Sequence, residues 1–322
     1  MLKCRKLGKT SLQVSEIGLG CWQLGGQLNI NGVSTTYGDV TKENTKMIVE
    51  KALDYGINTF DTADVYSLGE CERRLGSILK EHRSRVYIFT KAGNVPSYSE
   101  TSLFEWDFSS SYLLSAINRS LKRLDTDYVD LFQVHVPPKS EDDFSNIEKA
   151  FKKIKSENKA NYCGVSIGNQ FETGIKLIEM GLVDTLQIHF SLLEFGATKE
   201  LFSVAKKNSV GIIASEPLAK GFLTGKYQKQ TIFPKNDVRV RFSINEIKMK
   251  VEKANDFQIF ANENRTMSQV ALLYILSHDA ISTCIPGSKS VEQLKLNILS
   301  TEKKLSNNEL EKIKGIQRSW EI

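Results

Sequence analysis

The fold is decided by a helix-then-strand unit that reads SLKRLDTDYVDLFQVH over residues 120–135. Its helical half continues a pattern in which Leu113, Ile117, Leu121 and Leu124 fall on one face, as in an amphipathic helix. Its second half, Tyr128 to His135, is a short apolar run rich in β-forming residues. A surface helix joined at once to a buried strand is the repeating unit of α/β folds.

The same unit recurs along the chain. The β-rich runs are Glu16 to Gly20, Asn58 to Asp61, Val86 to Lys91, Tyr128 to His135, Tyr162 to Ser166, Thr185 to Ile188, Gly211 to Ala214 and Thr283 to Pro286. Further helical periodicity lies between them, over residues 47–55, 70–80, 142–158, 171–180, 198–207, 244–263, 267–277 and 290–299. Eight strands alternating with helices in 322 residues predict one (β/α)8 TIM-barrel domain over residues 1–322.

A doubly wound open sheet also alternates strands and helices, but two observations favour the barrel. No linker rich in Pro, Gly or Ser divides the chain, and GLGCWQLGG over residues 18–26 lacks the spacing of a dinucleotide-binding Gly-x-Gly-x-x-Gly motif. Lys3–Lys6 and Leu12–Ser15 flank a Gly-Lys-Thr turn, which predicts an N-terminal β-hairpin cap. Residues 303–322 predict a C-terminal helix and a short tail that ends Trp320-Glu321-Ile322.

The composition excludes several classes of partner. The net charge of +5 comes from basic residues scattered along the chain, unlike the clustered charge of a nucleic-acid-binding protein. No run approaches the roughly 18 apolar residues of a membrane-spanning helix, and no signal peptide is expected. The five cysteines and four histidines include no Cys-x-x-Cys or His-x-x-x-His pair. We therefore expect no nucleic acid, no membrane, no metal, no disulfides, and a reducing, cytoplasmic location.

Four side chains able to hold or move protons are predicted at one rim of the barrel. Reactive residues of such barrels lie at the C-terminal ends of the strands, and those positions hold Asp61, Lys91 and His135. Tyr66 lies in the loop that follows Asp61. Each residue alone has an ordinary explanation as a helix cap, a solvated cation or a hydrogen-bonded polar group. Their placement on three successive strands favours a shared role.

This set suits the protonation of an alkoxide while a hydride arrives at carbon. The Lys91 cation would stabilise phenolate and is expected to lower the pKa of Tyr66 from about 10 toward the range of a general acid. Asp61 would hold Lys91 charged and oriented, and a neutral His135 would donate a hydrogen bond to a carbonyl oxygen. None of these groups supplies a hydride, so a cofactor is required.

The chain resembles the aldo-keto reductases over nearly its whole length. The motifs are GINTFDTADVY (56–66), TK (90–91), SLKRLDTDYVDL (120–131) leading to His135, GVS (164–166), PLA (217–219) with Gly221, GKY (225–227), and IPG (285–287) with Gln293 and Asn297. The resemblance implies a barrel that uses NADPH, or less often NADH, to reduce aldehydes and ketones. It also implies that Asp61, Tyr66, Lys91 and His135 form the catalytic tetrad.

By the same resemblance, the cofactor would lie along the loops after the strands. Ser166 and Gln187 would hold the nicotinamide carboxamide. The other implied cofactor contacts are Cys21, Trp22 and Asp61 beside the nicotinamide, Glu216, Pro217, Leu218, Gly221, Lys226 and Arg239 around the pyrophosphate, and Gly287, Lys289, Gln293 and Asn297 at the adenosine end. Gln293 has a second explanation, because Ser290-Val291-Glu292-Gln293 also fits a helix capping box.

Five positions depart from the family pattern, and two of them, Ser67 and Cys71, replace a Gly and a Ser common beside the tyrosine. Ile167 stands where an asparagine usually follows the serine, Ser215 where an aromatic residue commonly stacks on the nicotinamide, and Gln293 where long-chain members often have arginine. Ser215 leaves the nicotinamide face less covered, unless Phe190 or Phe222 fills the space. Recognition of a 2′-phosphate is expected to depend more on Lys289.

The substrate pocket is predicted from aromatic residues near the reactive rim. The predicted substrate contacts are Trp22, Tyr66, His135 and Trp106, with Phe104 and Phe108 nearby in the loop from Ala92 to Ser109. Alternatively, the aromatic residues of this loop bury only its own underside.

The leading interpretation is an NADPH-dependent reductase of a small-molecule aldehyde or ketone. A non-catalytic, nucleotide-sensing regulatory subunit on the same barrel is the alternative, since such members of the family can retain the tetrad. A barrel isomerase or aldolase would instead use Lys91 as a Schiff-base amine, a role that the adjacent Asp61 and Tyr66 disfavour.

Overall fold

Eight parallel strands close into a barrel in the computed structural model, which describes residues 2–97, 99 and 102–320. The strands, in chain order, are β1 (Cys4–Lys6), β2 (Gln13–Ser15), β3 (Leu19–Gly20), β4 (Asn29–Ile30), β5 (Val33–Ser34), β6 (Thr59–Asp61), β7 (Tyr87–Ala92), β8 (Asn94–Pro96), β9 (Phe104–Trp106), β10 (Val129–Val134), β11 (Ala160–Gly168), β12 (Thr185–His189), β13 (Gly211–Ser215) and β14 (Ile281–Cys284). The barrel sheet has the order β14-β13-β12-β11-β10-β7-β6-β3.

Backbone hydrogen bonds between the first and last strands complete the barrel. The Gly18 N–H donates to the Cys284 carbonyl at 2.8 Å, and the Gly20 N–H donates to the Pro286 carbonyl at 3.1 Å. The predicted (β/α)8 barrel is therefore confirmed. Its strands could be located as continuous apolar runs because a parallel sheet covered by helices buries both faces, as all six residues of β10 show.

Ten helices surround or follow the strands within the described residues. They are α1 (Lys42–Asp54), α2 (Glu70–Leu79), α3 (Ser110–Leu124), α4 (Glu141–Ser156), α5 (Phe171–Glu179), α6 (Leu201–Lys207), α7 (Ile244–Asn255), α8 (Met267–Leu276), α9 (Val291–Leu299) and α10 (Asn307–Ser319). The prediction for residues 244–263 was too long, because α7 ends at Asn255 and the chain turns to bury Phe257 and Phe260. None of the described helices is both long and apolar enough to cross a bilayer.

The predicted N-terminal hairpin is present and covers the end of the barrel opposite the reactive rim. Strands β1 and β2 pair antiparallel, and Leu7, Leu12 and Val14 pack against barrel residues that include Phe89 and Leu131. The Arg5 guanidinium donates to the carbonyls of Leu276 and Ile281 at 2.8 and 2.9 Å. The hairpin therefore seals the apolar interior and leaves the other end of the barrel open.

The C-terminal helix α10 packs on the side of the barrel. Ser306 and Glu309 form a capping box at its start, and the buried Gln317 donates to the Leu192 carbonyl at 3.0 Å. Trp320 packs edge-on against Phe257, with ring centroids 5.4 Å apart. Glu321 and Ile322 of the predicted tail lie outside the described residues.

Close packing between α2 and α3 gives a stability prediction. A Cβ added at Gly76 would lie 2.5–2.7 Å from the backbone of Leu124. We expect Gly76→Ala to lower the free energy of unfolding by about 1–3 kcal/mol, because one helix must move away from the other. Gly315→Ala in α10 is the matched control, since a Cβ there meets nothing within 4 Å. The control should be neutral or stabilising by up to about 1 kcal/mol. Equal denaturant midpoints for the two variants would contradict the packing argument.

Candidate active site

A cavity of about 900 Å³ opens at the C-terminal ends of the barrel strands. Its walls come from those strand ends and from the loops that follow them. The predicted site residues that line it are Cys21, Trp22, Asp61, Tyr66, His135, Ser166, Gln187, Glu216, Pro217, Leu218, Gly221, Lys226, Arg239, Gly287, Lys289, Gln293 and Asn297. Of the predicted residues, Lys91 lies beneath the cavity wall and Trp106 lies outside it.

A buried ion pair between Asp61 and Lys91 forms the floor of the site. These residues lie on the adjacent strands β6 and β7, and the Lys91 Nζ is 2.6 Å from Asp61 Oδ1. The same ammonium donates to the Thr62 carbonyl at 2.8 Å and to the Tyr66 hydroxyl at 3.4 Å. Lys91 is fully buried, and its three donors therefore have three partners.

Tyr66 is held over this ion pair by an unusual turn. The chain leaves β6 and enters a short 3-10 turn, Tyr66–Gly69, in which Ser67 and Leu68 have φ of 49° and 52°. The Tyr66 ring is stacked on Trp22 with centroids 6.0 Å apart and meets His135 edge-on at 5.5 Å. These contacts fix the hydroxyl between Lys91 and the cavity.

Burial dominates the electrostatics of Tyr66. Desolvation raises its pKa to about 12, while the Lys91 cation acts in the opposite direction and Asp61 adds to the rise. The expectation of a net lowering of the Tyr66 pKa is therefore wrong, because the cost of an anion in this dry site exceeds the attraction of Lys91. Burial alone would lower the pKa of Lys91, but the neighbouring Asp61 and Tyr66 outweigh this effect and raise the pKa to about 12. The phenol is thus protonated and the amine charged at neutral pH.

His135 is neutral in this environment. Burial, together with the nearby Lys91 cation, holds the pKa of the imidazole well below its usual value. Its Nδ1 is buried with no hydrogen-bond partner in the structure. A buried N–H without an acceptor is costly, so we assign the hydrogen to Nε2, which makes His135 a donor through that atom.

The second oxygen of Asp61 accepts two amide donors. Gln187 Nε2 lies 2.8 Å and Gln133 Nε2 lies 3.3 Å from Asp61 Oδ2. Gln187 was among the predicted residues, but Gln133 was not. Gln133 could have been found from its position two residues before His135. Alternate residues of a strand point to the same face, so Gln133 shares the interior face with Leu131.

The strand after Ser166 contains an irregularity that accounts for Ile167. The pairing of β11 with β12 shifts register between Ser166 and Gly168, so the two strands are locally out of step. Ile167 is completely buried and contributes an apolar side chain to the cavity lining, and Asn169, two residues later, also lines the cavity. The departure from the family pattern at position 167 therefore coincides with a bulge.

Ser215 lines the cavity wall. Its hydroxyl donates to the Ile188 carbonyl at 2.9 Å. Phe190 packs against Phe202 and Tyr274, and Phe222 packs against Tyr227 and other rings. Neither ring lines the cavity, whereas Ser215 does.

Two loops meet across the outer part of the cavity. The Val238 N–H donates to the Thr36 carbonyl at 2.7 Å, and Lys289 Nζ donates to the Tyr37 carbonyl at 2.8 Å. Arg239 is held at this junction by an ion pair with Asp237 at 2.6 Å. Tyr37 was not predicted from the sequence, because no motif marks the loop after β5 in which it lies.

The same region fits an anionic ligand. Beyond β13 and β14, the described part of the cavity lining carries one carboxylate, that of Glu216, and five cationic side chains. The cations are Lys220, Lys226, Arg239, Arg241 and Lys289. Gly221 has φ of +92°, a conformation that exposes backbone and suits close approach of a phosphate. The residues present therefore fit the pyrophosphate and phosphate groups of a dinucleotide.

Gln293 caps its helix and also lines the cavity. Its N–H donates to Ser290 Oγ at 3.3 Å, while its side-chain Oε1 accepts the Lys289 N–H at 2.9 Å. In a capping box, the Gln293 side chain would accept the N–H of the cap residue Ser290. Here it accepts the N–H of Lys289, one residue earlier. Asn297 donates to Ser288 Oγ at 3.1 Å from the next turn.

The predicted aromatic residues of the 92–109 loop have three different positions. Phe104 lines the cavity, Phe108 belongs to the buried core, and Trp106 is half exposed with the Lys139 ammonium 3.6 Å from its ring centroid. Tyr98, Glu100 and Thr101 of this loop lie outside the described residues. Of these three rings, only Phe104 is in a position to contact a ligand in the cavity.

Comparisons with known proteins identify the family to which this barrel belongs. The sequence model of the aldo/keto reductase family matches residues 16–318, and the chain belongs to this family. It is 29% identical to the uncharacterized oxidoreductase YqkF of Bacillus subtilis, covering 98% of this chain and 96% of that protein. It is 30% identical to a putative voltage-gated potassium channel subunit beta of Schizosaccharomyces pombe, over 97% and 92% of the two chains. A solved aldo-keto reductase of Bacillus halodurans in its holo form superposes with a TM-score of 0.78 at 27% identity, over 98% and 96% of the chains.

One ionisable group beside the site was not anticipated. Asp64 lies in the loop between Asp61 and Tyr66, and its Oδ1 is buried without a partner. Burial and the neighbouring Glu72 raise its pKa to about 7, against the opposing effects of Arg123, Arg119 and the Tyr112 hydroxyl. Asp64 therefore changes its charge near neutral pH.

This shift predicts a pH-dependent stability. Between about pH 4 and about pH 7 the folded protein holds a proton on Asp64 that the unfolded chain has lost, so the contribution of Asp64 to the free energy of unfolding falls as pH rises. Asp64→Asn removes this titration. We expect the variant to match the wild type near pH 4 and to exceed its free energy of unfolding by up to about 4 kcal/mol near pH 8. Urea unfolding at both values measures the difference, and a pH-independent difference would refute the assignment.

Proposed function

We propose that the protein is an NADPH-dependent oxidoreductase that reduces an aldehyde or ketone to an alcohol. The observation that supports this most strongly is the Lys91 ammonium, which touches both Asp61 and Tyr66 beneath a cavity bordered by His135. In this arrangement Tyr66, a neutral acid, and His135, a neutral hydrogen-bond donor, lie next to each other in the cavity wall. A reduced nicotinamide bound in the cavity would supply the hydride.

Each residue of the tetrad has a distinct part in the proposed reaction. His135 donates a hydrogen bond to the carbonyl oxygen and orients it toward Tyr66. As negative charge develops on that oxygen, Tyr66 gives up its proton, and the Lys91 cation stabilises the phenolate that remains. Asp61 keeps Lys91 charged and fixed in place. Trp22 and Phe104 exclude water beside the reacting carbon.

The proposed cofactor contacts follow the charge distribution of the cavity. Ser166 and Gln187 would hold the carboxamide, and Cys21 and Trp22 would border the ring. Glu216 to Gly221, Lys226 and Arg239 would surround the pyrophosphate, and Gly287, Lys289, Gln293 and Asn297 would surround the adenosine. Lys289, the cation at the adenosine end, favours NADPH, with its additional 2′-phosphate, over NADH. A reducing, cytoplasmic location accords with five unpaired thiols.

Two other functions compete with this proposal. The Schizosaccharomyces pombe relative gives weight to a nucleotide-sensing regulatory subunit, which would bind NADPH without turnover. Schiff-base chemistry at Lys91 would require a free amine lone pair. The ammonium has three hydrogen-bond partners and a pKa of about 12, which disfavours that chemistry.

A substrate screen with a matched pair of variants tests the proposal. The protein is mixed with NADPH or NADH and a panel of aldehydes and ketones, and the loss of reduced-nicotinamide absorbance is followed. We expect Tyr66→Phe to lower kcat by about 10²–10⁴-fold, because it removes the proton donor, and to leave the Kd for NADPH within about twofold. Tyr162→Phe is the control, since that hydroxyl bonds Ser11 at the opposite end of the barrel.

Three outcomes would count against the proposal. Tight NADPH binding with no turnover of any carbonyl would favour the regulatory subunit. A Tyr66→Phe variant that keeps half of the wild-type kcat would remove Tyr66 from its role. Substrate trapped on Lys91 by borohydride would favour the Schiff base.

A further inference from the structure

A buried glutamine lies under the site, outside the cavity. Gln133 is in the middle of β10, is completely buried, and is paired in register with Lys91 of β7 and Gly164 of β11. It shares the inward face of its strand with Leu131, which belongs to the apolar interior cluster. A polar side chain at this depth in a barrel requires an explanation, since leucine would fill similar volume at lower cost.

The orientation of the Gln133 amide identifies its partner. Asp61 Oδ2 accepts but cannot donate, so the amide must turn its Nε2 toward the carboxylate, and the distance is 3.3 Å. This orientation leaves Gln133 Oε1 buried with no partner. Because an unpaired buried oxygen is unfavourable, the hydrogen bond from Gln133 to Asp61 is accompanied by a cost in folding free energy.

Gln133 and Gln187 share one carboxylate oxygen but differ in exposure to ligands. Gln187 lines the cavity, whereas Gln133 does not. A ligand that turns the Gln187 amide toward itself would remove the donor that now lies 2.8 Å from Asp61. The Gln133 amide would remain on Asp61 in either case. Asp61 would then keep its orientation toward Lys91 whether or not the cavity is filled.

We propose that Gln133 is a positioning residue that holds Asp61 against Lys91, and through Lys91 governs the proton donation by Tyr66. The proposal rests on the function proposed above. Gln133 touches neither the cavity nor the reacting atoms, so its effect is confined to the rate of the proton-coupled step.

The test compares two substitutions on the same face of the same strand. Gln133→Leu removes the amide with little change in volume, and Leu131→Val is the matched control, buried to the same extent two residues away. For Gln133→Leu we expect a fall of about fivefold in the single-turnover rate of NADPH oxidation, the factor that one modest hydrogen bond represents. The Kd for NADPH should stay unchanged, and the solvent deuterium isotope effect should increase because proton transfer becomes slower.

A purely structural role would give the opposite pattern. The melting temperature of Gln133→Leu would then fall while its kcat and isotope effect stayed at wild-type values, as we expect for Leu131→Val. That pattern would overturn the proposal.

A second readout does not depend on turnover. In protein labelled with ¹³C-tyrosine, the Tyr66 Cζ resonance is identified by its loss in Tyr66→Phe. It should move in Gln133→Leu and stay in place in Leu131→Val, because only the first changes the placement of the Lys91 cation. If the wild type reduces no carbonyl, the function proposed above fails while this resonance still decides the role of Gln133. An unmoved resonance rejects that role.

Discussion

The buried contact between Asp61 and Lys91 is the interaction on which the rest of the site depends. Removing two charges from water costs several kcal/mol per ion, and the cost is recovered only with short distances and full hydrogen bonding. The barrel provides both, because β6 and β7 are neighbours and bring Nζ to 2.6 Å from Oδ1. The Thr62 carbonyl, Tyr66, Gln187 and Gln133 complete the hydrogen bonds of the pair. The ion pair and these four hydrogen-bonding groups therefore hold one another in position.

The cavity above this pair divides into two regions with different chemistry. Asp61, Lys91 and His135, whose side chains are able to hold or move protons, lie at the ends of β6, β7 and β10, where strand pairing fixes their positions. Cationic side chains and backbone with positive φ lie on the loops after β13 and β14, where they suit a long, charged ligand. The contacts of Val238 with Thr36 and of Lys289 with Tyr37 join the loops across the outer region. A dinucleotide that enters this groove would extend from the loops to the ion pair.

The barrel could be predicted from the sequence because each of its strands and helices is marked by a local pattern of apolar residues. Parallel strands buried on both faces appear as continuous apolar runs, and the helices between them keep a single apolar stripe. Helix ends were less predictable. Residues 256–263 continue a plausible helical pattern, yet the burial of Phe257 and Phe260 requires the chain to turn.

The placement of Asp61, Tyr66, Lys91 and His135 at one rim could be predicted because each lies at or just after the C-terminal end of a strand, whereas effects that depend on three-dimensional surroundings could not. The pKa of Tyr66 depends on how completely water is excluded, which no motif encodes. Gln133 resembles any interior residue of a strand until its distance to Asp61 is known. Trp106 lies on a small hairpin whose strand β9 turns it toward Lys139 and away from the cavity, so its position depends on pairing that the sequence does not reveal.

Whether Asp61 and Lys91 act as a single unit is tested most directly by a double-mutant cycle on the single-turnover rate of NADPH oxidation. The cycle consists of the wild type, Asp61→Asn, Lys91→Met and the double variant, each saturated with cofactor and with the same aldehyde. If the ion pair acts as one unit, the double variant should lose about as much rate as the more impaired single variant. Losses that multiply, so that their free energies add within about 0.5 kcal/mol, would show that the two residues act independently and would contradict this account.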